Sequence, residues 1–203
     1  MAKPVIGLIG GIGSGKSHVA ALLRQRGGRV ISGDQLGHKA LRQPEIKAVL
    51  VKRWGSRVLD DRGEVDRHRV AGIVFAAPEE LKALEAIVFP FIGEGISREI
   101  ETAQGDESEK FLVLDAAVML EAGWNHVCDK LVFVNAPREV RLWRLLDQRG
   151  WSEKELADRE AAQMPLAEKA KRADFTIESS DSAEDLGQQI DKMLKDVGIV
   201  AIL

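Results

Sequence analysis

Gly10-Gly11-Ile12-Gly13-Ser14-Gly15-Lys16-Ser17 fits the pattern G-x-x-x-x-G-K-[ST]. The pattern makes chemical sense as a grip on phosphate. Glycines reach backbone angles closed to other residues, so successive amides can turn inward toward phosphate oxygens. A following helix adds its positive end to the same anion. Lys16 brings a full charge to the β- and γ-phosphates, and the Ser17 hydroxyl is a ligand for Mg²⁺. The expected nucleotide cradle is therefore Gly11, Ile12, Gly13, Ser14, Gly15, Lys16, Ser17 and His18. A GTP switch would add D-x-x-G and N-K-x-D. Asp34-Gln35-Leu36-Gly37 and Asp60-Asp61-Arg62-Gly63 spell the first, but neither follows a convincing strand, and N-K-x-D is absent. A small-molecule kinase is favoured over a switch.

Two carboxylates end apolar runs. Asp34 follows Val30-Ile31-Ser32, and Asp115 closes Phe111-Leu112-Val113-Leu114. In open α/β sheets ligands sit beyond the carboxyl ends of strands. Asp34 there can take or orient the proton of an attacking hydroxyl, or it can cap a helix. Asp115 is expected to hold the metal's water shell together with Ser17, with a cap again the plain alternative. Arg138, Arg141, Arg144, Arg149 and Arg159 cluster further on. Arginine matches phosphate oxygens in pairs. Arg144 and then Arg149 are the first candidates to contact the transferred group, against a solvated helix face as the bland reading. Arg159 and Gln163 are further candidates on the same segment. The four histidines lack metal-ligand spacing, and the four tryptophans read as packing groups.

These residues need a scaffold, and the pattern supplies one. Val5 to Ile9, Arg29 to Ser32, Phe111 to Leu114, Leu131 to Val134 and Phe175 to Ile177 read as short strands. Helical spacing follows the glycine loop, recurs from about 34 to 104 and from 138 to 147, and closes the chain from Asp181 to Asp196. Pro90 should kink or break the helix that starts near Pro78. Strands alternating with helices argue for a parallel sheet covered on both faces. The 203 residues suit one domain, or one domain carrying a small mobile insertion. The net charge of -3 disfavours a strongly basic nucleic-acid binder. Cys128 is the single cysteine and makes no internal disulfide. No apolar run approaches the roughly 20 residues of a membrane span, and MAKPVIGLIGG lacks a signal peptide's apolar core. A cytoplasmic protein is expected.

Several stretches, in order, resemble the dephospho-CoA kinase family. They are Ile6 to Ser17, Val30 to Asp34, Gly63-Glu64-Val65-Asp66-Arg67, Val74-Phe75, Leu84 to Ile87 followed by Pro90, Asp115 to Gly123, Gln163 to Lys169, and Ala173 to Ile177. The resemblance implies an α/β P-loop NTPase fold of the kind found in nucleoside monophosphate kinases. That fold is a five-stranded parallel sheet flanked by helices, with a helical substrate-binding insertion and a lid. It implies one kinase domain over 4–203: core about 4–33, 110–137 and 173–203, a helical CoA-binding region about 34–104, and a lid about 138–172. It further implies transfer of the ATP γ-phosphoryl to the ribose 3′-hydroxyl of dephospho-CoA, giving coenzyme A and ADP, with Mg²⁺ as cofactor. ATP and dephospho-CoA are then the partners, with no nucleic acid, membrane or obligate protein partner. Asp34 takes the base or orienting role, and Leu120-Glu121-Ala122-Gly123 lies near the acceptor, with Glu121 either structural or substrate-facing. The chain departs from the family pattern at Ser32 (usually Asp), Phe89 (usually His) and Ala117-Val118-Met119 (often Pro-Leu-Leu). The alternatives are a kinase of another small acceptor, such as a nucleoside monophosphate, and a nucleotide-binding regulator without catalysis.

Overall fold

A computed structural model describes residues 2–179 and 182–199. The chain divides into two compact units, Met1–Ser32 with Arg98–Leu203, and Gly33–Ser97. The first unit carries a parallel sheet of five strands: β1 Val5–Gly10, β2 Gly28–Ser32, β3 Phe111–Asp115, β4 Lys130–Asn135 and β5 Phe175–Glu178, in the spatial order β2-β3-β1-β4-β5. Every residue of β1 is buried. That suits an unalternating apolar run flanked by strands on both edges and helices on both faces. Gly7 is needed there, because a side-chain carbon at this position would fall 2.8 Å from Cys128 Sγ, Leu131 and Met119 Sδ.

Helix α1, Lys16–Gln25, packs Val19, Ala20 and Leu23 into a core shared with β1, β3, β4 and β5. Helix α9, Ala183–Asp196, closes the same core with Leu186, Ile190, Met193 and Leu194. Those are the apolar positions its helical spacing predicts; the expected start at Asp181 lies outside the described residues. Between β4 and β5 run α6 Arg138–Arg149, α7 Glu153–Ala161 and α8 Leu166–Lys171. Ser152 and Glu155 form a capping box that starts α7. Pro165 sits just ahead of α8, where a missing amide hydrogen costs nothing.

The second unit is helical: α2 Gly33–Leu41, α3 Pro44–Trp54, α4 Arg67–Val74 and the first part of α5, Pro78–Gln104. Asp66 caps α4, accepting from the amides of His68 and Arg69. Glu80 joins α5 to α3 by accepting from Trp54 Nε1 at 2.7 Å and Arg53 Nε at 2.8 Å. Of the kink or break expected at Pro90, the break does not occur, and α5 continues as helix through it. The residue whose carbonyl loses its partner is Ala86, four positions earlier, and both Ala86 and Pro90 are exposed. Water can satisfy that carbonyl, so the helix survives the proline. Asp34-Gln35-Leu36-Gly37 is part of α2, and Asp60 to Gly63 is a surface turn, so neither D-x-x-G follows a strand directly into a loop.

Candidate active site

The phosphate loop leaves the carboxyl end of β1, between β3 and β4. Gly13 and Gly15 have φ values of 76° and 93°, which L side chains rarely adopt. A side-chain carbon on Gly13 would also lie 2.9 Å from the Arg141 carbonyl oxygen. Gly15 caps α1, so the helix begins at Lys16 and aims its unpaired amides at the loop. The predicted cradle from Gly11 to His18 is thus one continuous turn into a helix.

Lys16 is buried, and its Nζ donates to the carbonyls of Gly10 at 3.2 Å and Gly11 at 2.9 Å. Burial pushes this ammonium down to about 8, Asp115 pulls it back up, and the nearby charges of Lys169 and Arg141 push it further down. Ser17 Oγ donates to Asp115 Oδ2 at 3.1 Å, bringing together the two residues assigned to the metal. In-register pairing explains the meeting, since Asp115 lies beside Leu8 of β1 and Ser32 of β2.

Helix α6 supplies two arginines to the loop. Arg144 Nη1 donates to the Ser14 carbonyl at 3.2 Å, and its Nη2 donates to the Ser179 carbonyl at 2.7 Å. Arg141 is 4% exposed. Its Nη1 donates to the Ile12 carbonyl at 3.2 Å and pairs with Glu160 of α7, while its Nε is buried without a partner. Arg149 lies elsewhere on this helix, 5.4 Å from the centre of the Trp151 ring, which Arg159 also covers at 4.1 Å. Sequence reasoning ranked Arg141 behind Arg144 and Arg149, although its spacing of three from Arg144 was legible. Trp143, expected with the other tryptophans to be a packing group, is exposed, as is Leu146, and Arg141 takes the interior position. Lys169, beside Lys16 and fully buried, received no role from sequence; nothing in a charged helix announces a buried lysine.

In the helical unit, Asp34 is the second residue of α2, inside the helix rather than at its cap. Its carboxylate is largely exposed and lies 3.6 Å from Arg67 Nη2 and 3.2 Å from His38 Nε2. Arg67 also borders an apolar cavity of about 190 Å³ lined by Leu41, Val70, Val74, Leu84 and Val88. Elsewhere in the sheet unit, Cys128 is pushed up to about 12 by burial, so its thiol is inert at neutral pH. Among the described residues no helix is long and apolar enough to cross a membrane.

A parallel sheet in this order, a glycine loop from its central strand, a buried lysine on that loop and arginines closing over it define a P-loop kinase. Solved structures agree on the fold. The chain covers 96% of its length against shikimate kinase from Acinetobacter baumannii in complex with shikimate, with 94% of that chain covered, a TM-score of 0.53 and 20% identity. Two others are nearer. TT1252 from Thermus thermophilus gives a TM-score of 0.81 at 36% identity, covering 97% of this chain and 99% of that one. Dephospho-CoA kinase from Campylobacter jejuni gives 0.68 at 25% identity, covering 95% and 96%. The family model described as dephospho-CoA kinase matches residues 4–185. Dephospho-CoA kinase from Geobacillus kaustophilus is 38% identical, with 94% of each chain covered. Its Aquifex aeolicus counterpart is also 38% identical, covering 95% of this chain and 96% of that one. The chain belongs to the dephospho-CoA kinase family.

Proposed function

We propose that this chain transfers the γ-phosphoryl group of ATP to the ribose 3′-hydroxyl of dephospho-CoA, releasing coenzyme A and ADP. The observation that carries the reading is the loop itself: Lys16, Arg141 and Arg144 converge on one turn of backbone within a chain matched to this family over residues 4–185. Phosphoryl transfer asks the protein mainly for position and charge. In this reading the loop amides and Lys16 hold the β- and γ-phosphates. Arg141 turns its unpartnered Nε–H to a phosphate oxygen, and Arg144, already at the loop, serves the transferred group. Asp34, steadied by Arg67 and His38, takes the proton of the 3′-hydroxyl as its oxygen attacks the γ-phosphorus and ADP leaves.

The donor set fits magnesium. Ser17 Oγ and Asp115 Oδ2 are hard oxygen ligands 3.1 Å apart, the kind of partial shell that phosphates and water complete. When bound, the ion neutralises charge on the β- and γ-oxygens. The apolar cavity beside Arg67 suits the uncharged part of a long acceptor. We assign residues about 4–33, 110–137 and 173–203 to the nucleotide core, about 34–104 to the acceptor, and about 138–172 to a lid that excludes water. A reducing cytoplasm is the compartment we assign. A coupled ADP-release assay tests the reading across a panel of dephospho-CoA, nucleoside monophosphates and small alcohols. The highest kcat/KM is expected for dephospho-CoA, and no turnover above the ATP-only rate would overturn the assignment.

A further inference from the structure

Lys169 lies on α8 with 1% of its side chain exposed. Its Nζ donates to Glu121 Oε1 at 2.9 Å, to Gln163 Oε1 at 3.1 Å and to the Ala117 carbonyl at 3.4 Å. One ammonium thus spends its donors on two segments: the turn after β3 and the turn between α7 and α8. Glu121 Oε1 also accepts from the Met164 amide at 2.9 Å, so the same oxygen grips both the cation and the second turn. One helical turn before Lys169, Leu166 packs on the phosphate loop, 3.2 Å from where a side-chain carbon of Gly11 would stand. The Gly11 carbonyl, in turn, accepts from Lys16. A continuous chain of contact runs from Glu121 through Lys169 and Leu166 to the lysine of the loop.

A buried ion pair is a poor source of stability, since apolar residues of similar volume commonly do as well or better. What charges with several fixed partners supply is a unique register between segments. We propose that Lys169 is a positioning residue for phosphoryl transfer: by pinning the Gln163–Pro165 turn to Glu121 it seats Leu166 on Gly11 and fixes the phosphate loop around the nucleotide. The inference rests on the kinase reading of the loop but not on the identity of the acceptor.

The test is calorimetric titration with ADP, which needs no acceptor. Lys169→Met alone strands the Glu121 charge, so the variant to use is Lys169→Met with Glu121→Gln. It should bind ADP at wild-type stoichiometry but about tenfold more weakly, the scale expected when a site loses its fixed geometry. Gln163→Ala removes one anchor and keeps the ion pair; it should weaken ADP by about threefold. This variant decides the matter if the double substitution does not fold. A merely structural role would lower the melting temperature or the bound fraction and leave the dissociation constant of the folded protein alone. An unchanged dissociation constant in a folded variant therefore overturns the proposal. Failure of the kinase reading shows separately, as wild-type protein that does not turn over dephospho-CoA.

Discussion

Replacing Lys16 with methionine should abolish nucleotide binding and yet make the protein more stable. In the folded chain burial holds the Lys16 ammonium at about 8, against an ordinary value of 10.5. Below the lower value both folded and unfolded states are protonated, and the folded state bears the whole cost of burying charge. Between them the unfolded chain binds more protons, so stability rises with pH. Above 10.5 both states are neutral and the gain is complete. The gap is worth about 3 kcal/mol. Methionine avoids that cost but forfeits the hydrogen bonds to the Gly10 and Gly11 carbonyls, worth about 1 kcal/mol each. The net gain is about 1–2 kcal/mol, or about 2–8 °C in Tm for a chain of this size. Urea unfolding of both proteins without nucleotide, from neutral pH to 10.5, reads the effect. Other lysines cancel in the difference. The wild-type protein should close the gap as pH rises, and Lys16→Met should show no such rise of its own. A variant less stable than wild type at neutral pH, with the wild-type pH dependence, refutes the reasoning.

Asp34→Asn should cut kcat by about 10²–10⁴ while leaving the KM for ATP within about threefold, because the amide cannot take the proton. Initial-rate kinetics with both substrates varied would show near-normal kcat if the carboxylate has no such role. Gly13→Ala forces a side chain into a φ of 76° and against the Arg141 carbonyl, so ADP binding should be lost from a protein whose far-ultraviolet circular dichroism is unchanged. Arg141→Lys keeps the charge but loses the planar guanidinium, whose Nη1 reaches both Ile12 and Glu160 and whose Nε–H stays free for phosphate. ATP affinity should fall by about tenfold or more in a direct titration.

The order of elements was legible because each strand is a short apolar run ended by glycine, proline or a carboxylate, and the loop sits where β1 stops. The meeting of Ser17 with Asp115 was legible too, since Ser17 opens the helix that follows β1 and Asp115 ends β3, the strand paired beside it. Two features were not. Pro90 reads as a breaker locally, and only the exposure of Ala86 shows why α5 tolerates it. On α6 the periodicity favours Leu146 for the interior, whereas the structure buries Arg141. The Ile12 carbonyl and Glu160 accept from that guanidinium, and these are partners from distant parts of the chain that no local pattern reveals. The same holds for Lys169, whose burial depends on Glu121 and Gln163.

Phosphorus NMR of the product formed from ATP and dephospho-CoA is the most direct measurement of the central claim. One new phosphomonoester on the ribose 3′-oxygen should appear in step with ADP. Release of ADP with inorganic phosphate alone, or a phosphate attached at any other position, would contradict the account.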